Sequence, residues 1–255
     1  MESFHLEQRG ELGILHLHAG GANALNARVI GAIAEALRQA SAARLKGLVF
    51  TGYERFFSAG LDLISVYEYD REQMARFIAE FDHEFQRFFA YPKPIIAAIN
   101  GAATAGGGIL ALACDYRIMA EGAVIGLSEV QLGLPLPASA LEIARHAIPE
   151  QQHSYVFYSG KSFNADEALR VGLVHEVVPQ AQLLDAALAR LRTFTEHPGE
   201  ACGVLKTMLR APTLESMIAG ADKKREAFLE AWFSPAARET IGAIRNKLLL
   251  RKTAP

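Results

Sequence analysis

Three short pieces of this chain carry groups that could take a proton from carbon and hold the anion that results. The first is Phe57-Ser58-Ala59-Gly60-Leu61-Asp62, a turn after an apolar stretch. Gly60 permits a backbone bend that turns N–H groups outward, so the N–H of Ala59 could donate to an oxyanion. Its plainer reading is a β-to-α turn with Asp62 capping the next helix. The second is Ala105-Gly106-Gly107-Gly108-Ile109. Three adjacent glycines are costly before a helix unless a backbone must come close to something. Two readings stand side by side: Gly106 N–H as an anion donor at a helix N-terminus, or close packing of helix on sheet. The third is Glu129 in Leu127-Ser128-Glu129-Val130-Gln131-Leu132-Gly133. Ser128 and Gln131 have capping-box spacing, so Glu129 taken alone reads as a first-turn carboxylate. It gains meaning in company, as the one acid between two apolar stretches shortly after the glycines.

Competing chemistries find less support. Gly106-x-Gly108-x-x-Ala111 fits the loose dinucleotide pattern, with Glu129 about 20 residues further on. The context is wrong: Asn100 to Ala105 separates the strand from the glycines, and Ile109 to Cys114 is too short for a crossover helix. There is no Gly-x-Ser-x-Gly elbow and no P-loop. The histidines lack metal spacing; His16 and His18 share one strand face and read as surface or half-buried residues. Lys223, Lys224, Arg225 and the tail Arg245, Lys247, Arg251, Lys252 read as solvated helix faces, or as contacts to ligand phosphates.

The elements that must position these pieces follow from periodicity. Phe4–Glu7 and Ile14–His18 alternate as strands around Arg9–Gly10. The loop GGANALN leads into a helix over Ala27–Ala43, and Leu45–Phe50 is a strand. Leu63–Tyr91 reads as one helix ended by Pro92 and Pro94, before a strand at Ile95–Ile99. Leu173–Val178 is a late strand. Beyond Asp185 the pattern is helical, with Ser234–Pro235 starting a last helix whose face is Ile241, Ile244 and Leu248. Strands alternate with helices early and helices dominate late, which suggests an α/β core with a helical extension.

Composition sets the outer bounds. The chain has 255 residues, 51% of them hydrophobic, with a net charge of −2. That is enough for a sizeable core and offers no basic field for nucleic acid. The start MESFHLEQRG shows no signal-peptide pattern, and no membrane span is expected. Cys114 reads as a buried reduced thiol; with Cys202 as the only other cysteine, a cytoplasmic protein is expected.

FFSAGLDL, INGAATAGGGILALACDYRIMA, GLSEVQLGLP and the loop GGANALN, taken in order, resemble the crotonase superfamily, the enoyl-CoA hydratase/isomerase fold. The resemblance implies an α/β, crotonase-like spiral of ββα units over residues 1–190 with a C-terminal helical segment over 191–255. It implies an acyl-CoA thioester substrate, with coenzyme A part of that substrate and no separate cofactor or metal. It also implies a homotrimer or a dimer of trimers. Ala59 and Gly106 would give the two N–H donors and Glu129 the acid/base. Ala24, Leu25, Ser58, Gly60, Leu61, Asp62, Gly107 and Ile109 would meet the substrate. Hydratases of the family use two glutamates; here the first falls on Ile109, which cannot transfer a proton. The local wording looks most like the Δ3,Δ2-enoyl-CoA isomerase branch. Burial among Ile109, Ile125, Leu127 and Val130 would raise the Glu129 pKa. Rivals are a hydratase, a thioesterase- or decarboxylase-like relative, and a non-catalytic acyl-CoA-binding protein.

Overall fold

The computed structural model describes residues 3–20, 22–197 and 200–253, with side chains to residue 250. Gly21 of the GGANALN loop and the side chains of Arg251 and Lys252 therefore lie outside the described residues.

Two sheets are wound by one repeating path. β1 (Phe4–Arg9) and β2 (Leu12–Leu17) form the expected hairpin, and α1 (Ala27–Ala42) follows. The chain then passes β3 (Gly47–Thr51), β4 (Phe56–Ser58), α2 (Leu63–Val66) and α3 (Arg71–Phe89). A second turn runs β5 (Ile95–Ile99), β6 (Ala102–Thr104) and α4 (Gly106–Ala113); a third runs β7 (Tyr116–Ala120), β8 (Val124–Gly126) and α5 (Ala138–Ala147). Next come α6 (His153–Ser159), β9 (Ser162–Asn164), α7 (Ala165–Arg170), β10 (Glu176–Val178) and α8 (Leu183–Thr195). The first strand of each turn joins the six-stranded sheet β1-β2-β3-β5-β7-β10; the second joins the four-stranded sheet β4-β6-β8-β9. This is a spiral of ββα units, as expected. β3, β5 and β7 are parallel and nearly all apolar, because both their faces are covered.

Local chemistry sets the breaks. The helix expected over Leu63–Tyr91 is interrupted at residues 67–70. Asp70 caps α3 with a full capping box, accepting from Gln73 N–H at 2.7 Å while Gln73 accepts from Asp70 N–H at 2.9 Å. The late strand is shorter than expected, with only Glu176–Val178 pairing with β7.

Three further helices, α9 (Ala201–Ile218), α10 (Ala221–Trp232) and α11 (Pro235–Thr253), make the helical extension. The boundary expected at 190 falls inside α8. That helix packs on β3, β5 and β7 and belongs to the core. Ser234 starts α11 as expected, accepting from Ala237 N–H at 3.3 Å. α11 folds back onto α2. Tyr67 sits under the Arg238 guanidinium at 3.6 Å, and Arg238 Nη1 donates to the Tyr67 carbonyl at 2.9 Å.

Candidate active site

Parallel pairing brings the three chemical pieces to one edge. β4 pairs with β6 and β6 with β8, all parallel, so their C-terminal ends lie together. Gly60–Leu61 follows β4, Gly106 follows β6, and Glu129 lies three residues past the end of β8. Ligands in open α/β sheets sit at such carboxyl ends, where the loops converge.

The first arm differs from expectation by two residues. The N–H of Ala59 donates to the Ala22 carbonyl at 3.0 Å and is committed to holding the loop. Leu61 replaces it. Leu25 and Leu61 form a parallel bridge in which Leu25 N–H donates to Gly60 C=O at 2.7 Å and Asp62 N–H donates to Leu25 C=O at 2.9 Å. In that pattern the N–H of Leu61 itself points to the opposite side. Among the described residues no acceptor meets it. Asp62 caps α2 as expected, accepting from Ser65 N–H at 3.2 Å, and its other oxygen accepts from Asn26 Nδ2 at 3.1 Å.

The second arm is the start of α4. Ala105 precedes the helix without a side-chain cap, and no acceptor among the described residues meets Gly106 N–H. The first amides of a helix need acceptors from outside it, and its dipole favours an anion there. The carbonyl of the Ala105–Gly106 peptide accepts from Ile109 N–H at 3.1 Å. Each donor peptide is thus held by its carbonyl from behind, and bonds in series polarise one another. The two arms touch: a Cβ built on Gly60 (φ +79°) would lie 2.8 Å from Gly106 N.

Both readings of the glycine run hold, residue by residue. Gly106 carries the free N–H. Gly107 is there for packing, since a Cβ on it would lie 2.0 Å from the Ser58 carbonyl oxygen. Ser58 and Gly107, expected to meet substrate, are buried and face each other. Ser58 Oγ donates to the Asn23 carbonyl at 2.8 Å and accepts from Gly60 N–H at 3.3 Å. Asn23 escaped notice in the sequence. It is buried with φ 51°, its Oδ1 accepts from Ala19 N–H at 2.8 Å, and its Nδ2 donates to Leu17 C=O at 2.9 Å. It fastens the loop that carries Ala24 and Leu25. Its one visible signal was the tolerance of Asn for left-handed backbone.

Glu129 opens a short 3-10 turn, Glu129–Leu132, rather than the capping box its neighbours suggested. Ser128 makes no side-chain cap, and Gln131 Nε2 donates to Gly160 C=O at 2.8 Å. The residue is half-buried, but its Oε2 atom is wholly buried with no hydrogen-bond partner among the described residues. Burial raises its pKa from 4.5 to about 7, opposed only by a bond from its own backbone N–H. Ile109, Ile125 and Leu127 are buried as expected, whereas Val130 is 45% exposed. α11 packs on the 129–132 turn, with Ala237 against Gly133.

A cavity of 680 Å³ lies elsewhere, at the N-terminal edge of β5 and β7, and includes none of these residues. Its buried cations are matched. Lys206 and Arg210 each pair with Asp115 at 2.7 Å. Arg210 also donates to the Phe89 and Ala113 carbonyls, and Arg117 donates to Cys114 and Leu173 carbonyls. Lys224 and Arg245, candidates for phosphate contact, pair with Glu142 and Glu68. Among the described residues no group of three His, Cys, Asp or Glu could hold a metal, and no helix is long and apolar enough to cross a membrane.

Comparison with known proteins shows the family and the fold. Residues 9–244 match the family described as Enoyl-CoA hydratase/isomerase. The chain is 32% identical over 200 residues to mouse "Enoyl-CoA delta isomerase 1, mitochondrial", covering 77% of this chain and 68% of that protein. It is 32% identical over 240 residues to a "Probable enoyl-CoA hydratase" of Bacillus subtilis, covering 92% and 93%. Human mitochondrial delta3-delta2-enoyl-CoA isomerase superposes with a TM-score of 0.90 at 26% identity, over 98% of this chain and 99% of that one.

Proposed function

The chain belongs to the enoyl-CoA hydratase/isomerase family, and from that premise we propose that it moves the double bond of a 3-enoyl-CoA to the 2-position. The observation that carries this reading is the unpartnered buried carboxyl oxygen of Glu129 beyond β8, with the fully buried Ile109 at the position where the family resemblance puts a hydratase's second glutamate.

The thioester oxygen accepts from Leu61 N–H and Gly106 N–H. Glu129 removes a proton from C2, and the electron pair moves into the thioester to give a dienolate whose charge rests on that oxygen. The protonated Glu129 then returns the proton to C4, the double bond settles between C2 and C3, and the carboxylate is restored. Each amide contributes about 3–4 kcal/mol of transition-state stabilisation, and a base of matched pKa a factor of about 10²–10⁴. A carboxyl with a pKa of about 7 is ionised often enough to accept the proton and acidic enough to give it back. Coenzyme A enters as part of the substrate, and no further cofactor is required. Two free cysteines, one buried, fit a cytoplasmic setting. The exposed apolar face of α9, Val204, Leu205, Met208 and Leu209, supports an interface between copies, which the family resemblance makes a homotrimer or a dimer of trimers and light scattering would measure.

The test is an assay with 3-enoyl-CoA and 2-enoyl-CoA side by side, on wild type and Glu129→Gln. Isomerisation should dominate hydration in the wild type, and Glu129→Gln should lose isomerisation while still binding acyl-CoA. Hydration as the faster reaction, or substantial turnover by Glu129→Gln, would refute the proposal.

A further inference from the structure

We propose that Ala105 is a positioning residue for the amide cradle, holding Gly106 N–H at its working distance from Leu61 N–H. This deepens the isomerase reading and rests on it.

Ala105 has φ 52° and ψ −127°, a conformation natural to glycine and unfavourable for a residue with a Cβ. Among the described residues it is one of four non-glycine residues at positive φ, and it stands directly before Gly106. Three contacts hold it there. Its N–H donates to the Gly126 carbonyl at 2.9 Å, tying it to the end of β8, the strand that leads to Glu129. Its carbonyl accepts from Ile109 N–H at 3.1 Å, which fixes the plane of the Ala105–Gly106 peptide and so the direction of Gly106 N–H. Its methyl group lies against Gly60, at 2.8 Å from where a Gly60 Cβ would stand.

These contacts do different work. The two hydrogen bonds choose the orientation of one donor. The methyl sets how closely the segment bearing the other donor can approach, because Gly60 has no side chain of its own to keep the distance. A glycine at 105 could adopt the same φ and ψ without strain, so helix capping and fold would survive. It would lack the methyl spacer and would gain backbone freedom in which the Gly106 amide could turn. The strained alanine is therefore worth more to the site than to the fold: strain persists where surrounding structure over-determines it, and here it keeps two donors pre-aimed.

The experiment is Ala105→Gly, read three ways. Thermal unfolding should differ from wild type by no more than a few degrees. Steady-state isomerisation of 3-hexenoyl-CoA should show kcat reduced about tenfold or more, with KM within about twofold, because preorganisation acts on the transition state rather than on binding of the whole substrate. The infrared carbonyl stretch of bound hexanoyl-CoA labelled with ¹³C at C1 should lie at lower frequency than in water for the wild type, and should recover and broaden in Ala105→Gly. A kcat within twofold of wild type together with an unchanged stretch overturns the positioning role. So does a large loss of stability that accounts for lost activity. Ala105→Ser, which restores a Cβ, should recover most of kcat; failure to do so also counts against the spacer. If the wild type turns over no enoyl-CoA yet Ala105→Gly still alters the carbonyl stretch, the isomerase reading falls and the positioning of the amides stands. If neither is seen, both fall.

Discussion

Replacing Glu129 by Gln should cost the reaction and strengthen the fold, by an amount that depends on pH in a definite way. Burial raises the carboxyl from 4.5 to about 7, and its Oε2 has no partner to offset the lost hydration. An acid whose folded pKa lies above its unfolded one binds more protons in the native state between the two values. Stability contributed by the neutral form is therefore fully present below pH 4.5 and is lost as pH rises through about 7. At about 1.4 kcal/mol per pH unit across that window, burying this titratable carboxyl costs about 3 kcal/mol at pH 8, about 2 at pH 6 and almost nothing at pH 4. Gln cannot ionise, so the stability difference between Glu129→Gln and wild type should grow by about 3 kcal/mol from pH 4 to pH 8, roughly 6–12 °C in Tm for a domain of this size.

The assay is urea unfolding of both proteins at half-unit pH steps from 4 to 8, at one protein concentration so that assembly does not shift the midpoints. Any constant offset, from the different packing of an amide, is irrelevant; only the slope of the difference tests the cause. Parallel stability curves for the two proteins would show that Glu129 ionises like an exposed carboxyl. The physical basis for its role as the base would then be gone.

Other outcomes can be checked with the same set of proteins. In the free enzyme, kcat/KM for 3-enoyl-CoA should rise with pH to a plateau above about 7, since the base must be ionised, and a limb near pH 4.5 would contradict the burial. Gly107→Ala places a methyl 2.0 Å from the Ser58 carbonyl oxygen, so it should lose about 1–3 kcal/mol or more by denaturant titration, and activity along with it. Asp115→Asn leaves Lys206 and Arg210 buried without their anion and should cost about 3–5 kcal/mol, although the residue is far from the chemistry; a loss below about 1 kcal/mol would mean the helix-end carbonyls alone suffice.

Much of the chemistry was legible because it is local. A glycine run before a helix, a glycine turn after a strand and a lone acid between apolar stretches are each set by backbone freedom within a few residues. So are the Asp62 and Ser234 caps. The ordered motifs resembled one family, and that resemblance implied the spiral of ββα units; periodicity alone reached only an α/β core with a helical extension. What stayed hidden depends on partners distant in sequence. Leu61 rather than Ala59 presents the free amide because the bridge to Leu25 decides which face each peptide shows, 36 residues apart. Asp70 breaks a helix that hydrophobic spacing alone would have continued. Ser58 and Gly107 turned out to serve each other, and Val130 is exposed while α11, more than 100 residues later, packs on the Glu129 turn. The direction of the Glu129 pKa shift was expected from its apolar sequence neighbours, but the burial that produces it belongs to the tertiary structure. A carboxyl's affinity for its proton is set by how much water and how many donors the folded chain leaves around it, and neither can be read along one dimension.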